Sequence, residues 1–104
     1  MSPSPETFEA RWPFSMDSAT LREILADVRG REILLQQVIQ QMEQRYDGSL
    51  EALEARLARG EGQEHPDWED SIEWRNAVEA LQRTRTLEHI LEWLINSHAL
   101  SPVS

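Results

Sequence analysis

The side chains best suited to chemistry lie in residues 64–74, which read EHPDWEDSIEW. His65 stands beside Glu64 and close to Asp67 and Asp70, and imidazole and carboxylate groups bind divalent metal ions. Their spacing matches neither a calcium-binding carboxylate cage nor a pair of histidines one helical turn apart. Acidic residues also stabilise the first turns of a helix through its macrodipole. We therefore interpret the cluster as a helix start and expect no metal site there.

Other catalytic patterns are missing from the sequence. His89 and Glu92 are one helical turn apart, but the di-metal bundle motif runs from glutamate to histidine and occurs twice. No serine stands in a Gly-x-Ser-x-Gly elbow, and the absence of cysteine excludes disulfides, thiol nucleophiles and cysteine-bound metals. We expect a protein that is not an enzyme and that uses no cofactor, with an enzyme built on the His65 cluster as an alternative.

The same acidic segment has the composition of a protein-recognition surface. Tryptophan supplies a large apolar contact area, and neighbouring carboxylates complement a basic partner. Alternatively, the tryptophans belong to the core, and burial of Trp74 is favoured by its alignment with Val78 and Leu81 on one helix face. The predicted partner-binding residues are Trp68, Glu69, Asp70, Glu73 and Trp74.

The charge of the chain limits its partners. Its 104 residues include 19 acidic and 10 basic side chains, all arginine, and the formal net charge is -9. This balance argues against direct nucleic-acid binding and favours a basic protein partner, although acidity also serves solubility alone. No apolar run has the ~18 residues of a membrane span, and no signal-peptide pattern is present. We expect a cytoplasmic protein without membrane contact.

The pattern of prolines and apolar residues divides the chain into three parts. Residues 1–16 contain three of the five prolines and are expected to form an extended or disordered arm. Residues 17–97 form one predicted helical domain. Residues 98–104 are expected to be a flexible tail.

A first helix is predicted over residues 18–46, with Asp17 as its N-cap. Its seam positions recur at alternating spacings of four and three, as in a helix that packs lengthwise against another. Glu32 interrupts this seam and predicts either a kink or an ion pair, with Arg29 or Arg31 of a second copy as the nearest partner. The alternative is a partly exposed Glu32 at the edge of the seam. The seam comprises Leu21, Leu25, Val28, Glu32, Leu35, Ile39, Met42 and Tyr46.

Two further helices are predicted. Gly48 is expected to adopt a left-handed conformation, and Ser49 caps a short helix from Leu50 to about Arg59, with a leucine face that lies across the first helix. The third helix runs from Pro66 to about Asn96. Its seam is Ala77, Leu81, Leu91 and Ile95, interrupted by Thr84 and Glu88.

These elements predict an all-α fold of two long helices and one short helix. Apolar residues outside the seams, such as Leu34 and Trp93, would form an association-prone patch, so we expect a bundle completed by dimerisation. The predicted dimer interface is Leu21, Leu25, Val28, Leu35, Ile39 and Met42.

Residues 31–81 contain motifs that resemble a known family. The motifs are YDGSL at residues 46–50, a leucine- and glutamate-rich helix, a Gly-Glu turn at residues 60–61, and WEDSIEW at residues 68–74. They are similar to small cyanobacterial and archaeal proteins that act as antitoxin-like partners in toxin-antitoxin pairs. Family members generally have Tyr-Gly where this chain has Tyr46-Asp47-Gly48, so the turn differs.

The resemblance implies a noncatalytic protein that binds and neutralises a cognate toxin, often an RNase. An RNA-cleaving toxin needs a basic site, which an acidic helix can cover. Some antitoxins also bind operator DNA, but no basic recognition helix occurs in this sequence. The alternative function is a homodimeric coiled-coil scaffolding or assembly protein without a toxin partner.

Overall fold

A computed structural model of the chain describes residues 17–100, with side chains through residue 97. They form three α-helices, α1 (Ser18–Tyr46), α2 (Leu50–Ala58) and α3 (Glu69–Leu100). A turn at Glu64–Trp68, in which His65 has extended backbone, precedes α3. The described residues contain no strand, so the predicted all-α class with two long helices and one short helix is confirmed. The predicted arm, residues 1–16, lies outside the described residues.

The helix starts follow the capping residues of the sequence. The Asp17 side chain accepts a hydrogen bond from the Thr20 backbone N–H at 2.8 Å, and the Ser49 hydroxyl accepts one from Ala52 at 3.1 Å. α1 ends at Asp47, which has the left-handed conformation with φ 49°. The prediction of this conformation at Gly48 is wrong by one position, because aspartate is among the few residues besides glycine that tolerate it.

The end of α3 also differs from the prediction. The helix continues to Leu100, so residues 98–100 extend it and do not belong to a tail. No glycine or proline occurs between Asn96 and Pro102, which explains why the helix does not stop near Asn96.

α1 and α3 pack against each other along their lengths in antiparallel orientation. At one end, Leu21, Leu25 and Val28 of α1 form a buried cluster with Leu91 and Ile95 of α3. A second cluster at the other end joins all three helices. Its buried members are Met42, Leu50, Leu53, Leu57 and Trp74.

The predicted dimer interface is therefore used inside a single chain. Four of its residues are buried in one protomer, and the remaining two are partly buried. The prediction is wrong in assigning them to contact with a second copy, because α3 supplies a matching seam within the same chain. The buried four are Leu21, Leu25, Val28 and Met42, and the partly buried two are Leu35 and Ile39.

A polar layer separates the two clusters. Arg85 of α3 donates a hydrogen bond to Glu32 of α1 at 2.9 Å, so the arginine partner predicted from a second copy comes instead from α3. Thr84 is buried and satisfies its hydroxyl by donating to the Ala80 carbonyl oxygen at 2.7 Å. Glu88 is buried at a seam position, as the interrupted pattern of α3 predicted.

Glu88 and Glu32 both lie in this layer, and their pKa values are shifted in opposite directions. Burial raises the pKa of Glu88 above its ordinary value of 4.5, and a hydrogen bond to Glu32 raises it further. The hydrogen bond from Arg85 lowers the pKa of Glu32. A protonated Glu88 is therefore favoured by folding, and this stabilisation is full below pH 4.5 and is lost as pH rises through the folded-state pKa.

The molecule is elongated and thin. Its extents are 63 × 30 × 17 Å, and its radius of gyration is 20.6 Å, compared with about 13 Å for a compact domain of 100 residues. A thickness of 17 Å accommodates a single layer of helices. Within residues 17–100, no helix is both long enough and apolar enough to cross a membrane.

The Glu88→Gln variant is expected to be more stable than the wild type at neutral pH, because it removes a buried charge that Glu32 and Glu92 repel. The difference should vanish below pH 4.5, where Glu88 is already protonated. Urea denaturation across a pH series measures both effects. Glu79→Gln, at an exposed position of α3, should not raise stability, and a less stable Glu88→Gln variant at neutral pH would contradict the assignment.

The Gly30→Ala variant is expected to raise the free energy of unfolding by about 1 kcal/mol, since alanine is the better helix former. Gly30 lies inside α1, and a Cβ there would meet no atom within 4 Å. Gly62→Ala should lower stability instead, because Gly62 has φ 90° and its Cβ would lie 3.0 Å from the Asp67 carboxylate. Urea denaturation of the pair tests both signs.

Candidate functional site

A partly buried polar cluster joins the end of α1 to the start of α3. The Tyr46 hydroxyl donates a hydrogen bond to Asp70 at 2.5 Å and lies 3.3 Å from an oxygen of Asp67. Arg45 donates to the same Asp70 oxygen at 2.8 Å. The Tyr46 ring stacks on Trp74 with 6.1 Å between ring centroids. The start of α3 is thereby held against the last turn of α1.

The titration of this cluster follows from its contacts. The hydrogen bond from Tyr46 lowers the pKa of Asp70 below its ordinary value of 3.8, and the ion pair with Arg45 lowers it further, although burial acts in the opposite direction. Burial, followed by the hydrogen bond to Asp70, raises the pKa of the Tyr46 hydroxyl well above its usual range. Asp70 is therefore an ionised structural residue at neutral pH.

The turn that leads into α3 uses the remaining polar groups of the acidic segment. Asp67 accepts a hydrogen bond from the Gln63 backbone N–H at 2.9 Å, which closes the turn beside Gly62. His65 Nδ1 lies 2.9 Å from a carboxylate oxygen of Glu69, and both side chains are exposed. Among the described side chains, no three histidine, aspartate or glutamate residues come together in a way that could hold a metal ion.

Trp68 and Ile72 contribute to an apolar groove between α2 and α3. Trp68 is 49% exposed and Ile72 is 56% exposed, one helical turn further along the chain. The groove has a volume of about 350 Å³, and we call it the α2–α3 groove. Its lining residues are Glu54, Leu57, Ala58, Trp68, Ser71, Ile72, Arg75 and Asn76.

Acidic side chains surround Arg75, the one basic side chain among the described residues that line the α2–α3 groove. Arg75 donates two hydrogen bonds to the carboxylate of Glu54, one of them at 3.1 Å, and this pair ties α2 to α3. The hydrogen bond raises the pKa of Arg75, and the charges of Glu54, Glu51 and Glu79 raise it further. The apolar groove therefore lies in a negative local environment.

The structure separates the five residues predicted to bind a partner. Trp68, Glu69 and Glu73 are exposed, whereas Trp74 is only 2% exposed and Asp70 only 7%. The assignment of Trp74 and Asp70 to a contact surface is therefore wrong, because both side chains are buried against Tyr46. Trp68 and Trp74 are separated by five residues along the chain, and their side chains have different surroundings.

The side of the groove that α2 forms was not predicted from the sequence. Leu57 and Ala58 of α2 form part of it, and the Glu54–Arg75 pair crosses it. The leucine face of α2 was predicted to lie on α1, but it packs against Trp74 of α3 as well as Met42 of α1. The four-residue spacing of Trp68 and Ile72 was the one sequence signal that pointed to this surface.

No protein-family model, curated protein sequence or solved structure matches this chain. The residues that resemble the antitoxin-like family therefore carry a prediction that rests on the sequence motifs. The geometry itself defines a helical protein with an accessible apolar groove in acidic surroundings.

The Tyr46→Phe variant is expected to lose about 1.5 to 3 kcal/mol of stability at neutral pH, since it removes a hydrogen bond to an ionised carboxylate. Because the folded-state pKa of Asp70 lies below its unfolded value, its contribution is present above pH 3.8 and is lost as pH falls through the folded-state pKa. The difference in the free energy of unfolding between variant and wild type should become smaller in acid. A gap that is constant with pH would exclude Asp70 as the cause.

Proposed function

We propose that this chain is a noncatalytic, antitoxin-like protein that binds and neutralises a basic partner protein, of which an RNase toxin is an example. The observation that supports this most directly is the α2–α3 groove, where Trp68 and Ile72 are about half exposed beside an excess of glutamates. Half-exposed aromatic and aliphatic side chains in a groove are suited to receive apolar groups of a partner.

Charge selects the kind of partner. The net charge of -9 attracts basic proteins over long distances. Proteins that cleave RNA need positive charge to bind phosphates, so an acidic surface that covers such a site also blocks substrate. Glu69 and Glu73 are exposed on the first turns of α3 and are placed to meet cationic side chains.

The proposal places the protein in the cytoplasm, where it would meet its toxin, and includes a homodimeric state. A homodimeric scaffolding protein is the second candidate function. It is favoured by exposed apolar residues outside the α2–α3 groove, among them Leu34 and Trp93. The two candidates differ in whether the groove or a separate surface is needed for activity.

The Trp68→Ala, Ile72→Ala double variant is expected to lose binding to the partner by at least about tenfold, since it removes the apolar centre of the groove. The measurement is co-expression with the product of the neighbouring gene, scored by rescue of growth and by copurification. The matched control is Trp93→Ala, Ile33→Ala, which truncates two exposed side chains of the same types outside the groove.

The control should copurify with the partner as the wild type does. Equal binding by both double variants would refute the groove as the binding site. A neighbouring gene product that is neither toxic nor retained would refute the antitoxin-like function and leave the scaffold candidate.

A further inference from the structure

The hairpin of α1 and α3 has two sides that differ in chemistry. Arg29 pairs with Glu92 at 3.3 Å, and both residues directly follow seam positions of their helices. Residues that follow the seam of each helix therefore share one side of the antiparallel pair, and residues that precede the seam share the other. A hollow lined by Arg31, Ala80, Arg83, Thr84 and Leu87 lies on this second side.

The second side is apolar over much of its length, and we call it the apolar side. The residues that precede the seam include Leu34, which is 62% exposed, and Leu87 and Ile90, which are also exposed. The side that follows the seam carries the Arg29–Glu92 ion pair and, with Arg85, the pair to Glu32. The apolar members are Ile24, Leu34, Val38, Ala80, Leu87, Ile90 and Leu94.

Two charged residues lie in the part of the α1 row between Ile24 and Leu34. The row runs Ile24, Asp27, Arg31 and Leu34, so its order is apolar, acidic, basic, apolar. Among the residues that the structure describes, neither Asp27 nor Arg31 takes part in an ion pair or side-chain hydrogen bond. When this part of the row is aligned antiparallel with a second copy of itself, each acidic residue lies opposite a basic one. Each apolar residue lies opposite another apolar residue.

We propose that a second copy of this chain docks on the apolar side, with the two α1 helices antiparallel and a two-fold axis between Asp27 and Arg31. Asp27 then faces the partner's Arg31, and Ile24 faces the partner's Leu34. An isologous interface forms each of these contacts twice. The charge pairs fix the register, while the apolar pairs supply the buried area.

The register of α3 agrees with this axis. The Arg29–Glu92 contact places Ile90 close to the level of residue 29 on α1. Leu87 lies three residues before Ile90 and Leu94 four residues after it, so an axis that crosses α3 between Ile90 and Leu91 brings Leu87 opposite the partner's Leu94. The same two-fold operation therefore pairs apolar residues on both long helices. Two single-layer hairpins become a four-helix bundle.

This inference rests on the homodimer of the proposed function and is independent of the basic partner, because the α2–α3 groove involves other residues. Sedimentation equilibrium at micromolar concentration tests it. The wild type should be a dimer. Arg31→Asp places a carboxylate opposite the partner's Asp27, and the two-fold axis repeats this repulsive contact. The variant should therefore associate about tenfold or more weakly than the wild type.

Two further variants make the test specific. The Asp27→Arg, Arg31→Asp exchange preserves net charge and reverses both members of each pair, so it should restore the dimer. Arg22→Asp makes the same charge change as Arg31→Asp on the opposite side, where Arg22 lies beside Arg29 and Glu92. It should retain the wild-type dimer. Circular dichroism checks that each variant keeps its helical content.

A monomeric wild type would overturn the dimer and its surface together. Equal weakening by Arg31→Asp and Arg22→Asp would overturn the surface, and so would an exchange variant that fails to associate. Groove variants that still neutralise the toxin, with the dimer intact, would refute the groove of the proposed function and leave the dimer surface standing.

Discussion

The packing of one apolar seam against another within the same chain is the constraint on which the remaining structure depends. The seam of α1 meets that of α3 over their whole shared length, from Leu21 near Ile95 to Met42 near Trp74. Because this contact uses the narrow seams, it leaves the flanks of both helices uncovered. The thin shape, the ion-paired side and the apolar side are all consequences of the antiparallel pairing.

The cluster around Tyr46 determines how the acidic segment is used. Tyr46, Arg45 and Trp74 enclose Asp70, so a carboxylate and an indole that resemble binding residues in the sequence stabilise the helix junction. Trp68 precedes the regular part of α3 and remains accessible. A segment with two tryptophans among acidic residues thus combines a structural half with an exposed half, which explains its unusual composition.

The α2–α3 groove and the proposed self-association surface occupy different parts of the hairpin. The groove lies near the end of α1 at Tyr46, whereas the inferred axis crosses α1 near residue 29, roughly 25 Å away at the rise of an α-helix. The two proposed interactions therefore use different residues. A dimer of this kind would present two grooves, which allows avidity toward a partner that is itself oligomeric.

Periodicity and capping by themselves determined the helices of this protein. The α1 bounds, the Ser49 cap, and the seam of α3 with Thr84 and Glu88 inside it all follow from local spacing and local hydrogen bonds. Only the tertiary structure decided that the α1 seam packs against the α3 seam of the same chain. A heptad stripe looks the same whether its mate lies on the same chain or on another copy, so Leu21 and Met42 were assigned to the wrong contact. The surroundings of Trp74 were likewise decided by Tyr46, 28 residues away in sequence, because a helix face acquires its neighbours only when the chain folds back.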